Sequence, residues 1–287
     1  MKEEILQKID EIPPLSQSAT QLLNLMGDPD HDVMQVTKIV ECDPALTARV
    51  LRVVNSARFS LVNPALSIAR AVSFLGDKIV LGIALESCAT DVFNRSLEGY
   101  ECERGALWAH SLRAAIASRL VSRDARGKIS PDLAFTGGIL HDIGKAVVSG
   151  FLKDSGPGIL EEIDAGDTGD YPAAERDRLG SDHSVAGYRL AKSWGLPYPL
   201  PEIIRHHHRP SGATEAIRPL VYAVHLGDIM AMLGGTGTGC DDLQYRMDGG
   251  FSDHFRISPD GLERIMLRVE EEFRQTMFSI FGSGEVK

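Results

Sequence analysis

The sequence predicts an all-α protein. Apolar residues recur at helical spacing in almost every patterned stretch, strand-like alternation is scarce, and Gly and Pro fall where helices would stop. Leu22, Leu23, Leu25 and Met26 form an apolar stripe ahead of the breaker GDPD. Val36, Ile39 and Val40 mark a second helix. Asp43-Pro44 supplies an N-cap followed by Pro at the first helical position, opening a helix through Leu46, Val50 and Val54. Ile68, Ala71, Val72 and Leu75 follow, with Gly76 as the stop. Asp77 caps the next helix, through Ile79, Ile83 and Leu85. Residues 1–103 therefore read as one bundle of short helices. The Ala-rich stretch 106–122 is predicted to be a longer helix that lets neighbours approach closely. Helices are also predicted around 132–151, 182–194, 199–208 and 219–232, and Trp194-Gly195-Leu196-Pro197 is a stop. These make a second bundle over 104–235. The Gly- and Asp-rich stretch 154–180 and the Gly-rich stretch 234–259 read as loops. Leu262, Ile265, Met266, Val269, Phe273 and Ile280 give one amphipathic tail helix over 260–282, the main element of a third segment, 236–287.

The chain has 287 residues, enough for two modest cores, with 43% apolar and 24% charged residues. Its formal net charge of -10 excludes a phosphate-backbone coat, so no nucleic-acid partner is expected. No apolar run approaches the roughly 20 residues that span a bilayer, and MKEEILQKIDEIPP lacks the apolar core of a secretory signal. The four cysteines, Cys42, Cys88, Cys102 and Cys240, form no CxxC and read as reduced thiols. A cytoplasmic protein without a membrane partner is the expectation.

The informative feature is the placement of His and Asp. His110 shares a face with Leu107, Ala114, Ala117 and Val121. His141-Asp142 is embedded beside Leu133, Gly137, Leu140 and Gly144, and Gly137-Gly138 clears room for a backbone or an ion. Ile203 and Ile204 are each followed four residues later by a histidine, His207 and His208. Val221, Val224 and Asp228 lie at i, i+3 and i+7. His183 opens the helix HSVAGYRLAKSW. One inward His is ordinarily a hydrogen-bonded core residue. Seven such groups on five consecutive helices point instead to a divalent cation, because buried carboxylates need a compensating charge and neutral imidazoles are good ligands.

GGILHDIGK, with His141-Asp142 and Lys145, resembles the HD superfamily of metal-dependent phosphohydrolases. IPPLSQSATQLLNLMGDPD, VECDPALTARVLRVVNSARFS and SIARAVSFLGDK resemble the HDOD family more closely. The resemblance runs over about 11–232. It implies an HDOD-type helical bundle followed by an HD-like one. It also implies a ligand order of H, HD, H, HH and D, which falls here on His110, His141-Asp142, His183, His207-His208 and Asp228. His206 leaves the register of the pair open by one. Many HDOD proteins resemble degenerate HD domains, whereas this chain keeps the whole set. It departs from the HD-GYP branch, because HHRPSGATEA lacks the Glu and the DGxGYP stretch expected after the pair.

The implied cofactor is a divalent transition metal, one or two ions, Fe or Mn first and Mg, Ni or Zn as alternatives. Asp142 would bridge two ions, one completed by His110, His141 and Asp228 and the other by His183, His207 and His208. Lys145 either assists a leaving group or is a surface lysine. Arg205 and Arg209 either meet a phosphate or are solvated charges. GGTGTG at 234–239 reads as a flexible loop, His31 as a turn residue, and His225 and His254 as structural or surface residues. Phe273, Met277, Phe278 and Phe281 pack within the chain or against a second copy, which leaves the oligomeric state open. Three readings stand: a phosphohydrolase acting on a phosphate ester or nucleotide, a non-catalytic signalling module with a protein partner, or a histidine core without metal.

Overall fold

A computed structural model describes residues 2–12, 14–28, 30–56, 59, 61, 64–88 and 96–281. It is helical throughout, with no strand among the described residues and only isolated bridges at Leu97–Cys102 and Ala125–Phe255. The chain divides into two units. One comprises Met1–Pro14 and Asp91–Glu270, and the other Leu15–Thr90 and Glu271–Lys287. Segments distant in sequence thus share a unit.

The charged N-terminal stretch forms α1 (Lys2–Glu11), which buries Ile5 and Ile9. The second unit follows with α2 (Gln17–Met26), α3 (Val33–Glu41), α4 (Pro44–Val54), α5 (Ile68–Leu75) and α6 (Asp77–Cys88). Most of each predicted stripe is buried: Leu22, Leu23 and Met26 on α2, Val36 and Val40 on α3, Leu46, Val50 and Val54 on α4, while Leu25 and Ile39 are half-buried. The starts are capped by Ser16, Asp32, Asp43 and Ser67, and Asp32 forms a full capping box with Gln35. Asp43 accepts from the backbone N–H groups of Ala45 and Leu46 and from the Ser18 hydroxyl, so one carboxylate caps α4 and ties it to α2. The Leu46 N–H and the Ser18 hydroxyl hold its pKa below the ordinary value. Stability from this cap is therefore present above the ordinary carboxylate pKa and is lost as pH falls through the lowered one. Asp43→Ala is expected to cost about 1 kcal/mol in denaturant melts. An unchanged midpoint would show that the cap contributes nothing.

The first unit is built around α7 (Ala106–Ser122), flanked by α8 (Pro131–Leu140), whose C-terminal end is followed by a turn and the short α9 (Lys145–Val148). The predicted helix over 132–151 is therefore broken at His141–Gly144. Next come α10 (Gly156–Ala165), α11 (Tyr171–Leu179), α12 (His183–Ser193), α13 (Leu200–His206), α14 (Arg218–Leu233) and α15 (Phe251–His254), and then the tail helix α16 (Pro259–Phe281), which belongs to the first unit up to Glu270 and to the other from Glu271. The stretch 154–180, expected to be a loop, holds two helices. Its Asp and Gly residues are caps and stops: Asp170 caps α11, while Gly166 and Gly180 end α10 and α11 at φ 79° and 73°. α8 and α14 approach α7 closely because a Cβ at Gly138 would lie 2.6 Å from the Ala115 Cα, and one at Gly227 2.6 Å from the Ala114 carbonyl oxygen. On α16, Phe273 and Met277 are buried. The side chains of Phe278 and Phe281 lie outside the described residues, as does that of Cys88. No described helix is long and apolar enough to cross a membrane.

Candidate metal centre

Five elements of the first unit bring all seven predicted ligands to one point. His110 sits mid-way along α7, His141-Asp142 lies where α8 breaks, His183 opens α12 behind its Asp182 N-cap, His207-His208 follows α13, and Asp228 lies on α14. The break after α8 fits tightly against α12, since a Cβ on Gly144 would lie 1.8 Å from the His183 carbonyl oxygen. That contact needs glycine, and it places the Asp142 carboxylate beside the first turn of α12.

The two Asp142 oxygens face different partners. Oδ2 lies 3.6 Å from His110 Nε2 and 3.5 Å from His141 Nε2, and the same two nitrogens lie 3.0 and 3.4 Å from Asp228 Oδ1. Oδ1 lies 3.5 Å from both His183 Nε2 and His207 Nε2. His208 Nε2 is 2.7 Å from His183 Nε2. His206, which faces Glu202 at 3.6 Å, stays outside, so the inward pair is His207-His208.

The tautomers are fixed from behind. Nδ1–H groups donate to the carbonyls of Thr236 from His110, Gly138 from His141 and Ile204 from His207, at 2.7–2.8 Å. His183 Nδ1 lies 2.8 and 2.9 Å from the two oxygens of Glu175. With Nδ1 held in this way, the Nε2 atoms of four imidazoles point toward the centre, the arrangement ligands take when their far nitrogen is held.

The charges are poised accordingly. Burial opposes ionisation of Asp142 and Asp228, but His141 and Lys145 beside the first, and His110 and His141 beside the second, hold both well below the usual carboxylate range. Desolvation pushes His207 down to about 4 and His208 well below its ordinary value, leaving both neutral. Burial also opposes protonation of His183, yet the Glu175 charge lifts it to about 9.

The donor set fits a metal. Asp142 Oδ1, His207 Nε2 and His208 Nδ1 are buried without a hydrogen-bond partner. Asp142 Oδ2 is ion-paired with the Lys145 ammonium at 2.8 Å. Three unpaired polar atoms in one cluster would be costly with nothing else to satisfy them. The ligand atoms fall into three overlapping groups, each within 4.8 Å: Asp142, His183, His207 and His208; His110, His141 and Asp142; His141, His207 and Asp228. Ligands about 2.1 Å from one ion lie roughly 3.0–3.4 Å apart along the edges of its polyhedron, close to the separations seen.

Among the residues around this cluster, Lys145 is one the sequence singles out, whereas Glu175, Tyr100, Asp241 and Tyr245 carry no sequence signal. Lys145 is not a surface lysine. It is buried between Asp142 and Asp241, 2.6 Å from Asp241 Oδ2, and donates to Thr238 Oγ1 at 2.5 Å. Burial would lower its pKa, but the two carboxylates raise it, so it stays charged. GGTGTG, expected to be a flexible loop, is packed over the site through Thr236 and Thr238. Tyr245 stacks on His208 at 4.3 Å and 6° and donates to Asp241. Glu175 accepts from the Tyr100 hydroxyl at 2.5 Å and from the His183 backbone N–H. Arg205 and Arg209 are exposed, Arg205 over the Tyr188 ring, and take no part in the cluster. His225 is structural, donating to the His207 carbonyl and accepting from Asp248 N–H, while His254 packs beside Tyr222. In the other unit His31 links the Asp28 carbonyl to Asp77.

Comparison with known proteins agrees with this architecture. The chain is 26% identical to a Treponema pallidum (strain Nichols) protein over 285 residues, 99% of its own length and 52% of that protein, so it spans about half of that relative. An HDOD domain protein from Geobacter sulfurreducens has a similar structure, with 23% identity, a TM-score of 0.65 and coverage of 99% of this chain and 88% of that one. A candidate phosphohydrolase from Shewanella amazonensis SB2B is 25% identical, with a TM-score of 0.55 and coverage of 96% and 94%. The HDOD domain model itself matches residues 12–210. Spanning well over half of the sequence, that match makes the chain a member of the HDOD domain family.

Proposed function

We propose that this chain holds a two-ion metal centre and hydrolyses a phosphate ester there. The observation that carries the reading is Asp142, a buried carboxylate whose two oxygens face separate pairs of imidazoles, Oδ1 without any hydrogen-bond partner. His110, His141 and Asp228 would hold one ion, His183, His207 and His208 the other, with Asp142 shared between them. Fe or Mn suits this mixture of imidazole and carboxylate. Divalent ions, when bound, supply a hydroxide at neutral pH and charge to offset that of a phosphoryl group. The chain's own residues do the rest. Thr236, Gly138 and Ile204 carbonyls aim three imidazoles, and Glu175 aims a fourth. Lys145, charged and buried beside Asp142, is placed to stabilise charge developing on a phosphate oxygen. The likeness to the Shewanella phosphohydrolase supports the same class.

The test is turnover of p-nitrophenyl phosphate and its bis ester by protein loaded with Mn²⁺ or Fe²⁺. Metal-dependent turnover that vanishes after chelation and returns with metal is expected. No turnover above chelated protein, with either metal and either ester, would refute hydrolysis.

The burial of the ligands beneath Thr236, Thr238 and Tyr245 favours a second reading, a signalling module whose metal is structural. It predicts that chelation lowers the melting temperature while there is no activity to lose.

A further inference from the structure

The two halves of the candidate centre are not equally provided for. Its three buried atoms without a hydrogen-bond partner, Asp142 Oδ1, His207 Nε2 and His208 Nδ1, all belong to the group of Asp142, His183, His207 and His208. That group also brings four ligand atoms within 4.8 Å of one another, against three in each of the other groups. In the other half the donors already have neighbours of their own. Asp142 Oδ2 is paired with the Lys145 ammonium at 2.8 Å, and Asp228 Oδ1 lies 3.0 Å from His110 Nε2. The ammonium is also held from its far side. Lys145 is buried, Asp241 Oδ2 lies 2.6 Å from its Nζ, and it donates to Thr238 Oγ1. The Tyr100 and Tyr245 rings stand beside it, their centroids 5.4 and 5.2 Å away.

We infer that Lys145 is an intramolecular cation that makes the two ion positions unequal, the one at His183, His207 and His208 binding more tightly than the one at His110, His141 and Asp228. The inference rests on the proposed two-ion site and adds the order in which that site fills. Binding at the second position means sharing Asp142 Oδ2 with the ammonium or displacing it. Sharing sets two positive charges on one carboxylate oxygen in a water-excluded interior, where their repulsion is stronger than in water. Displacement breaks a buried ion pair and leaves the ammonium one carboxylate, Asp241. Binding on the Oδ1 side meets these costs only in part, because the carboxylate stands between that side and Lys145, and it satisfies atoms that otherwise have no partner. Asp241 offsets part of the ammonium's charge, so the second position is weakened rather than closed.

The experiment is titration with Mn²⁺ in competition with a fluorescent chelator, with metal content measured on the same samples. Both positions of native protein are expected to fill, and competition resolves two steps whose dissociation constants differ by about tenfold or more. His208→Ala should lose the tighter step and His110→Ala the weaker one. The double variant Lys145→Met/Asp241→Asn removes the ammonium together with its outer carboxylate, so that Asp241 is not left as an unpaired charge. It should bring the two steps within about threefold of each other by strengthening the weaker. Lys145→Gln, which removes the charge but keeps a donor for Asp241, gives the same readout if the double variant does not fold. Two equal steps in native protein, loss of the weaker step in His208→Ala, or a gap unchanged once the ammonium is gone would overturn the inference. Native protein that takes up fewer than two ions at saturating Mn²⁺ would instead overturn the two-ion reading on which it rests.

Discussion

Replacing Asp142 by alanine is expected to abolish retention of both ions. No other side chain in the cluster presents two oxygens to separate imidazole pairs, at 3.5–3.6 Å on either side. His207 loses its nearest carboxylate, and Lys145 keeps one carboxylate, Asp241, and the Thr238 hydroxyl. A ligand that binds only the folded protein at 100 times its dissociation constant contributes about 2.7 kcal/mol of stability. Mn²⁺ should therefore raise the melting temperature of native protein by about 5–10 °C and leave the variant unmoved. Differential scanning fluorimetry with and without metal reads this directly. A full metal-induced rise in Asp142→Ala would mean that the ions, if bound, are held elsewhere. Asp142→Asn separates charge from shape, since it keeps the volume but offers one neutral oxygen, and it should behave like the alanine variant.

Glu175→Gln is expected to weaken one ion and spare the other. Glu175 touches His183 through Nδ1 and the backbone N–H and no other candidate ligand, and Tyr100 holds it in place. An outer carboxylate of this kind orients the imidazole and raises its basicity, and its loss typically costs 10–100-fold in metal affinity. Metal titration should then show one tight site and one weakened by about that factor, where native protein shows two tight sites. Tyr100→Phe leaves the charge and removes only its hydroxyl donor, so a smaller weakening of the same site is expected. Equal weakening of both ions in Glu175→Gln would assign Glu175 a general structural role rather than the positioning of His183.

Much of this was legible in the sequence because helices report themselves through spacing. The stripes at Leu46, Val50 and Val54 and at Ile68, Ala71, Val72 and Leu75, with Asp43 and Ser67 before them, are local signals, and all are buried as the periodicity implies. The inward placement of His110 and Asp228 follows from the same 3.6-residue period. What failed was the reading of Gly and Asp as loop formers in 154–180. There they cap and end two helices, and composition does not distinguish a cap from a loop. The surrounding residues were invisible for a different reason. Glu175, Asp241 and Tyr245 reach the centre only through tertiary packing, at sequence separations no periodicity encodes. Lys145 shows both sides of this. Its distance of one turn from His141 could be read from the chain, but its burial depends on Asp241, almost a hundred residues away.

The central claim is that these imidazoles and carboxylates are gathered around cations, and elemental analysis tests it most directly. Protein prepared without a histidine tag and dialysed free of loose ions should retain between one and two equivalents of a divalent transition metal, Fe or Mn foremost. Less than about a tenth of an ion per folded chain, in a preparation grown and handled with those metals present, would contradict it and leave a histidine core held by hydrogen bonds alone.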